Sequence, residues 1–163
     1  MYISEATYTA LNDFLGLCFQ MNSYCDNIAY NLGYKKMVVT EPIFHENFAH
    51  VFPALADIVS DLMLKMEARP IRKALEADNY EYENNESMFA DLKTNVDKYR
   101  QEILKVIEIA DFNNDFEVKI DMEEFLSNFK KYLDQVNTWN LKAMLYGEDV
   151  KKFDKDFPAF TTI

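Results

Sequence analysis

Along its apolar positions the chain separates into four stretches of helical period with punctuation between them. The first opens at Ser4, which caps ahead of Glu5, and closes near Gly33; its inner stripe is Leu11, Phe14, Leu15, Cys18, Cys25, Ile28, Ala29 and Leu32. The second covers about 42–69. Pro42 suits its first turn, the stripe is Phe44, Phe48, Val51, Phe52, Leu55, Ile58, Val59, Leu62 and Met66, and Pro70 ends it. Pro53 lies inside this run, where it removes one backbone donor and crowds the carbonyl of Ala49, so a kink or a break into two pieces is expected there.

The third stretch, about 87–110, carries Met88, Leu92, Val96, Tyr99, Ile103, Val106 and Ile107. The fourth, 121–146, carries Met122, Phe125, Phe129, Val136, Trp139 and Ala143; Asp121 with Glu124 forms a capping box at its start, and Gly147 closes it. Between the two pairs, a weak helix over Ile71–Ala77 gives way to turn formers from Asp78 to Glu86. In the tail, 148–163, Phe153, Phe157 and Phe160 are expected to pin the chain to the bundle or to a neighbouring subunit. The expected fold is all-α, a single domain built as an up-down four-helix bundle.

Composition agrees with that fold. A chain of 163 residues, 49% hydrophobic, buries one sizeable core, and three Gly with four Pro are too few for the turns of a β-sandwich. The net charge of −11 repels phosphates and anionic lipid, which argues for no nucleic acid and no membrane as partners and favours a basic protein partner. No apolar run approaches the length of about 20 that spans a bilayer, and the N-terminus shows no basic region before an apolar stretch. The expectation is a soluble, unexported, cytoplasmic protein. Cys18 and Cys25, seven apart on one helix, are about 10 Å apart at about 1.5 Å per residue. They cannot pair within that helix and read as reduced core thiols.

The second helix resembles its counterpart in the ferritin-like superfamily, in particular the starvation-inducible DNA-binding (Dps-like) branch. The likeness rests on Phe44-His45-Glu46, on Phe48 and Phe52 three and seven residues after the His, on Glu67-Ala68-Arg69 near the end, and on Tyr30-Asn31-Leu32-Gly33 closing the first helix. It implies an oligomeric bundle and iron as the metal, with His45 matching one ligand position of that branch. Where the branch has acids, this chain has Ala49, Ser60 and Leu64; no E-x-x-H pair occurs, and the first helix holds no His. Inside the bundle only Asn22 and Asn140 are central polar residues, with Asp26 at a margin, which reads as a hydrogen-bonded network.

Two other groupings have metal-ligand character. Glu46, His50, Asp57 and Asp61 fall along one stripe opposite the apolar face if the helix continues through Pro53, so His50, Asp57 and Asp61 are candidate ligands at an interface; the alternative is a solvated acidic face. Asp111, Asn113, Asp115 and Glu124 resemble the oxygen ligands of an EF-hand loop. That loop is two residues too long here, and an Asn/Asp turn is the alternative. No Walker loop, nucleophile elbow or C-x-x-C occurs, so hydrolytic chemistry has no foothold. Two functional readings stay open: a divergent Dps-like bundle, oligomeric, binding iron or another divalent metal with residual or no storage or ferroxidase activity; or an acidic protein-binding module of phage or mobile-element origin that mimics nucleic acid.

Overall fold

Helical period becomes helix almost throughout the computed structural model, which describes residues 1–163 and contains no strand. Helix α1 spans Glu5–Tyr34, α2 Thr40–Phe44, a π-helical segment His45–Ala49, α3 Val51–Lys65, α4 Asn85–Phe112, α5 Phe116–Tyr146 and α6 Val150–Asp156, followed by a short 3-10 turn at Phe157–Phe160.

Ser4 caps α1 as expected, accepting the Thr7 N–H at 3.1 Å. The chain turns out of α1 through Lys36, at φ 63°, rather than through Gly33. Helix α5 begins five residues before the expected Asp121. Asp115 sits at its N-cap, but its carboxylate is engaged elsewhere: it accepts Ser4 Oγ at 2.8 Å and Ser4 N–H at 3.2 Å, tying the α4–α5 turn to the start of α1. The Asn113-Asn114-Asp115 turn is therefore a tertiary junction, with Asn114 in the left-handed region at φ 59°.

Four helical arms enclose the core. Phe14 of α1 meets Phe125 of α5 and Tyr99 of α4, Phe52 of α3 meets Tyr99 and Phe129, and Phe48 meets Trp139. Contacts run in opposite order along the π segment and α3 against α5, Phe48 with Trp139 and Phe52 with Phe129, and along α1 against α4, Phe14 with Tyr99 and Tyr24 with Asp91. Thirty-nine buried apolar residues form one contiguous cluster. It contains the expected stripes of the first, third and fourth helices apart from half-buried Ile107, while Ile58, expected inside, is 53% exposed.

The tail packs on this bundle. Phe153 and Phe157 are fully buried, and Phe157 stacks on Trp139 at 5.1 Å. Asp154 accepts the N–H groups of Val39 and Thr40 and the Thr40 hydroxyl, thereby capping α2, whose own N-cap residue, Val39, has no acceptor to offer.

The connection from Ala68 to Asn84 contains no helix, contrary to the expectation for Ile71–Ala77. A segment without secondary structure must find other partners for its backbone polar groups. Here α1 provides them. Tyr8 donates to Arg69 O, Asn12 Oδ1 accepts from Ile71 N–H, Gln20 bonds both the N–H and the carbonyl of Glu76, Asn27 and Asn31 donate to Tyr80 O, and Asn31 Oδ1 accepts from Tyr82 N–H. These positions share one face of α1, and the strap runs parallel to that helix. It thus returns the chain from the end of α3 to the start of α4.

Candidate metal centre

Pro53 determines the geometry of this region. It falls in the first turn of α3, where its missing donor is tolerated, and the break it imposes lies upstream as the π segment and the turn at His50. It cannot donate to the carbonyl of Ala49, and Asn22 of α1 does so instead, Nδ2 to O at 3.1 Å. Asn22 therefore reads as a structural hydrogen-bond donor, as expected, but to the backbone rather than to Asn140. The Oδ1 of Asn140 is buried without a partner.

The π segment brings two histidines together. In an α-helix, residues five apart differ by about 500° of rotation and point to different sides. A π turn instead bonds residue i to i+5, and His50 N–H donates to His45 O at 3.1 Å. The two imidazoles meet edge to face with centroids 4.5 Å apart. One ligand atom from each of His45, Glu46 and His50 lies within 4.8 Å of the others, the one such group in the structure.

Carboxylates surround this pair. Nε2 of His45 lies 3.5 Å from Asp26 Oδ1 and Nδ1 lies 3.6 Å from Glu41 Oε1, while Nδ1 of His50 lies 3.4 Å from Glu46 Oε2. Whichever His45 nitrogen binds a metal, the other faces a carboxylate that can hold its N–H, the arrangement that orients metal-bound imidazoles. Asp26 Oδ1 is shielded from solvent and accepts no hydrogen bond. A buried carboxylate oxygen without a donor is costly, and a cation bound beside His45 would relieve it. Two imidazoles with carboxylate oxygens suit a borderline divalent ion such as Zn²⁺ or Fe²⁺.

The remaining candidates lie elsewhere. Asp57 is exposed on α3, outside the His45–Glu46–His50 group. Asp61 lines a groove between α3 and α5 together with Glu124, Asp121 and Lys65, so one acid from each of two proposed sets shares that groove. Asp111 pairs with Lys119 at 3.0 Å, Asn113 donates to Ile109 O at 2.8 Å, and Asp115 binds Ser4, so the EF-hand-like residues are engaged in separate local contacts. Sequence reasoning had no place for Glu41 and left Asp26 at a margin. The signal for this centre was the five-residue spacing of the histidines beside Pro53.

The thiols are not part of this chemistry. Cys18 and Cys25 are fully buried and free, and burial pushes the Cys18 thiol up to about 12 and Cys25 well above its usual value. They pack as small apolar side chains.

What these features define is an all-helical bundle with one candidate centre for a single divalent ion on its α2–π segment. No helix is long and apolar enough to cross a membrane. No protein-family model matches the chain, and no curated protein matches it.

Proposed function

We propose that the chain is a divergent ferritin-like bundle protein that binds one divalent transition-metal ion through His45, Glu46 and His50. The observation carrying this reading is the π segment that sets the two imidazoles side by side with Glu46, backed by Asp26 and Glu41. Two antiparallel helix pairs joined by a long strap running the length of α1 support the ferritin-like arrangement, in which one long crossover joins the two pairs. A ferroxidase of the di-iron type needs ligands for two ions, and the structure gathers one group of three. Binding, with residual or no turnover of iron, is accordingly the reading best supported.

The same reading makes the protein an oligomer, as the Dps-like resemblance implies. The alternative, an acidic module for a basic partner, draws support from the α3–α5 groove: Leu55, Leu62, Met122 and Phe125 lie beside Asp61, Asp121 and Glu124, with Lys65 as the sole basic group.

Calorimetric titration of metal-free protein with Zn²⁺ and with Fe²⁺ under anaerobic conditions tests the metal reading, with solution mass measured on the same samples. One equivalent per chain is expected, lost in His45→Ala and His50→Ala and retained in Asp57→Ala. Equal binding by the His variants and the unaltered protein would overturn the site. A monomeric mass with unchanged metal binding would remove the oligomer and leave the metal centre standing.

A further inference from the structure

Two nitrogens of His45 could take the ion, and burial decides between them. Nε2 lies 3.5 Å from Asp26 Oδ1 on α1, and Nδ1 lies 3.6 Å from Glu41 Oε1, one turn earlier on α2. The distances are alike; the two sides are not. Asp26 Oδ1 is closed to solvent and has no donor, whereas half-buried Glu41 has no such shielded oxygen. A hydrated ion needs a path for the water it sheds, and that path exists on the Glu41 side. An N–H needs none. A neutral imidazole carries one N–H, so placing it on Nε2 gives Asp26 the donor it lacks and turns the Nδ1 lone pair toward Glu41.

Spacing supports an ion on that side. Ligand atoms bound to a tetrahedral Zn²⁺ stand about 3.3–3.5 Å apart, given metal–ligand bonds of about 2.0–2.2 Å. His45 Nδ1 and Glu41 Oε1 are 3.6 Å apart, and His50 Nδ1 and Glu46 Oε2 are 3.4 Å apart. Each pair is a Glu four residues before a His, so residues 41–50 read Glu41-x3-His45-Glu46-x3-His50. The π turn sets the second imidazole against the first. His45, Glu46 and His50 already form one group; Glu41 touches that group through His45 and closes the set by rotation of its own side chain.

We propose that Asp26 is a positioning residue that holds the Nε2–H of His45, so that the ion binds His45 through Nδ1 with Glu41 as a fourth ligand beside Glu46 and His50. This inference rests on the metal reading given above. Asp26 acts through the imidazole, fixing its tautomer and orientation and raising its basicity. Four protein ligands fill the positions of a tetrahedral ion, as in sites that keep their metal rather than open it to a substrate.

The test is NMR of the ¹⁵N-labelled full chain loaded with one equivalent of ¹¹³Cd²⁺, whose coupling to ¹⁵N marks the imidazole nitrogen that holds the metal. Coupling at Nδ1 of His45 is expected. Coupling at Nε2 instead would overturn the proposal and leave the metal centre standing; saturable binding with no coupling to either histidine would overturn both. In calorimetry with Zn²⁺, Asp26→Ala should weaken binding about 10–100-fold, the usual effect of losing a group that orients a metal-bound imidazole. Asp26→Asn keeps an oxygen toward Nε2 and should lose less. Glu41→Gln should weaken binding at least as much as Asp26→Ala. Full affinity in Asp26→Ala or in Glu41→Gln, with an amide spectrum showing the variant folded, would also overturn the proposal. Should either variant fail to fold, the coupling measured on the unaltered chain decides.

Discussion

Replacing Asn22 by Ala should cost stability through a single carbonyl. The oxygen of Ala49 belongs to a fully buried residue, its helical donor is missing because position 53 is proline, and Asn22 Nδ2 reaches it at 3.1 Å. Truncation removes that donor and leaves the carbonyl in apolar surroundings, for a loss of about 1–3 kcal/mol. In a chain of this length each kcal/mol moves the melting temperature by about 2–4 °C. Urea unfolding followed by circular dichroism measures the loss directly, with an unchanged slope showing that compactness is retained. The mechanism has a second signature. Pro53→Ala restores an N–H four residues after Ala49, so Asn22→Ala should cost less in that background, giving a non-zero coupling in the double-mutant cycle. Pro53→Ala should also relax the π segment and part His45 from His50, weakening metal binding, whereas Asn22→Ala should change stability more than metal content. A cost for Asn22→Ala within about 0.5 kcal/mol of zero, the usual range for a surface change, would refute this account. So would the same cost with and without Pro53.

Two further outcomes are expected. The Cys18 thiol is raised by burial from 9.0 to about 12, and Cys25 and Tyr99 are raised for the same reason, so each binds its proton more tightly folded than unfolded. Their contribution is complete below pH 9 and is lost as pH rises toward 12; the urea midpoint should be insensitive to these groups at pH 7–8 and fall above pH 9, and a midpoint that rose over that interval would contradict the sign. Asp154→Ala should cost about 1.5–3 kcal/mol, because one carboxylate holds the Val39 and Thr40 N–H groups, and hydrogen exchange should quicken at those two amides; unchanged exchange there would mean that α2 is held without its distant cap.

The four helical stripes were legible because burial on one side of a helix imposes a 3.6-residue period wherever the partner lies, and Leu11 to Leu32, Met88 to Val106 and Met122 to Ala143 follow it. Ser4 and Gly147 were legible for an equally local reason: a side-chain acceptor beside the first free N–H groups, and a residue that adopts φ 56° without strain. The break in the second helix was visible through Pro53, but its form was not. Whether a proline yields a kink or a π turn depends on what receives the freed carbonyl, and that partner, Asn22, comes from another helix. The strap was missed because its hydrogen bonds run to the amide face of α1, and segment 71–77 has no such partner within reach along the chain. For the same reason the metal candidates regrouped. Local pattern and residue chemistry set most of the helical stretches and their buried stripes, but not the coil over 71–77, the early start of α5 at Phe116 or the exposure of Ile58. That His45 and His50 stand together with Asp26 behind them, that Asp115 holds Ser4 and that Asp154 caps α2 emerges in the folded chain alone, because the partners in these contacts lie at separations no local period encodes.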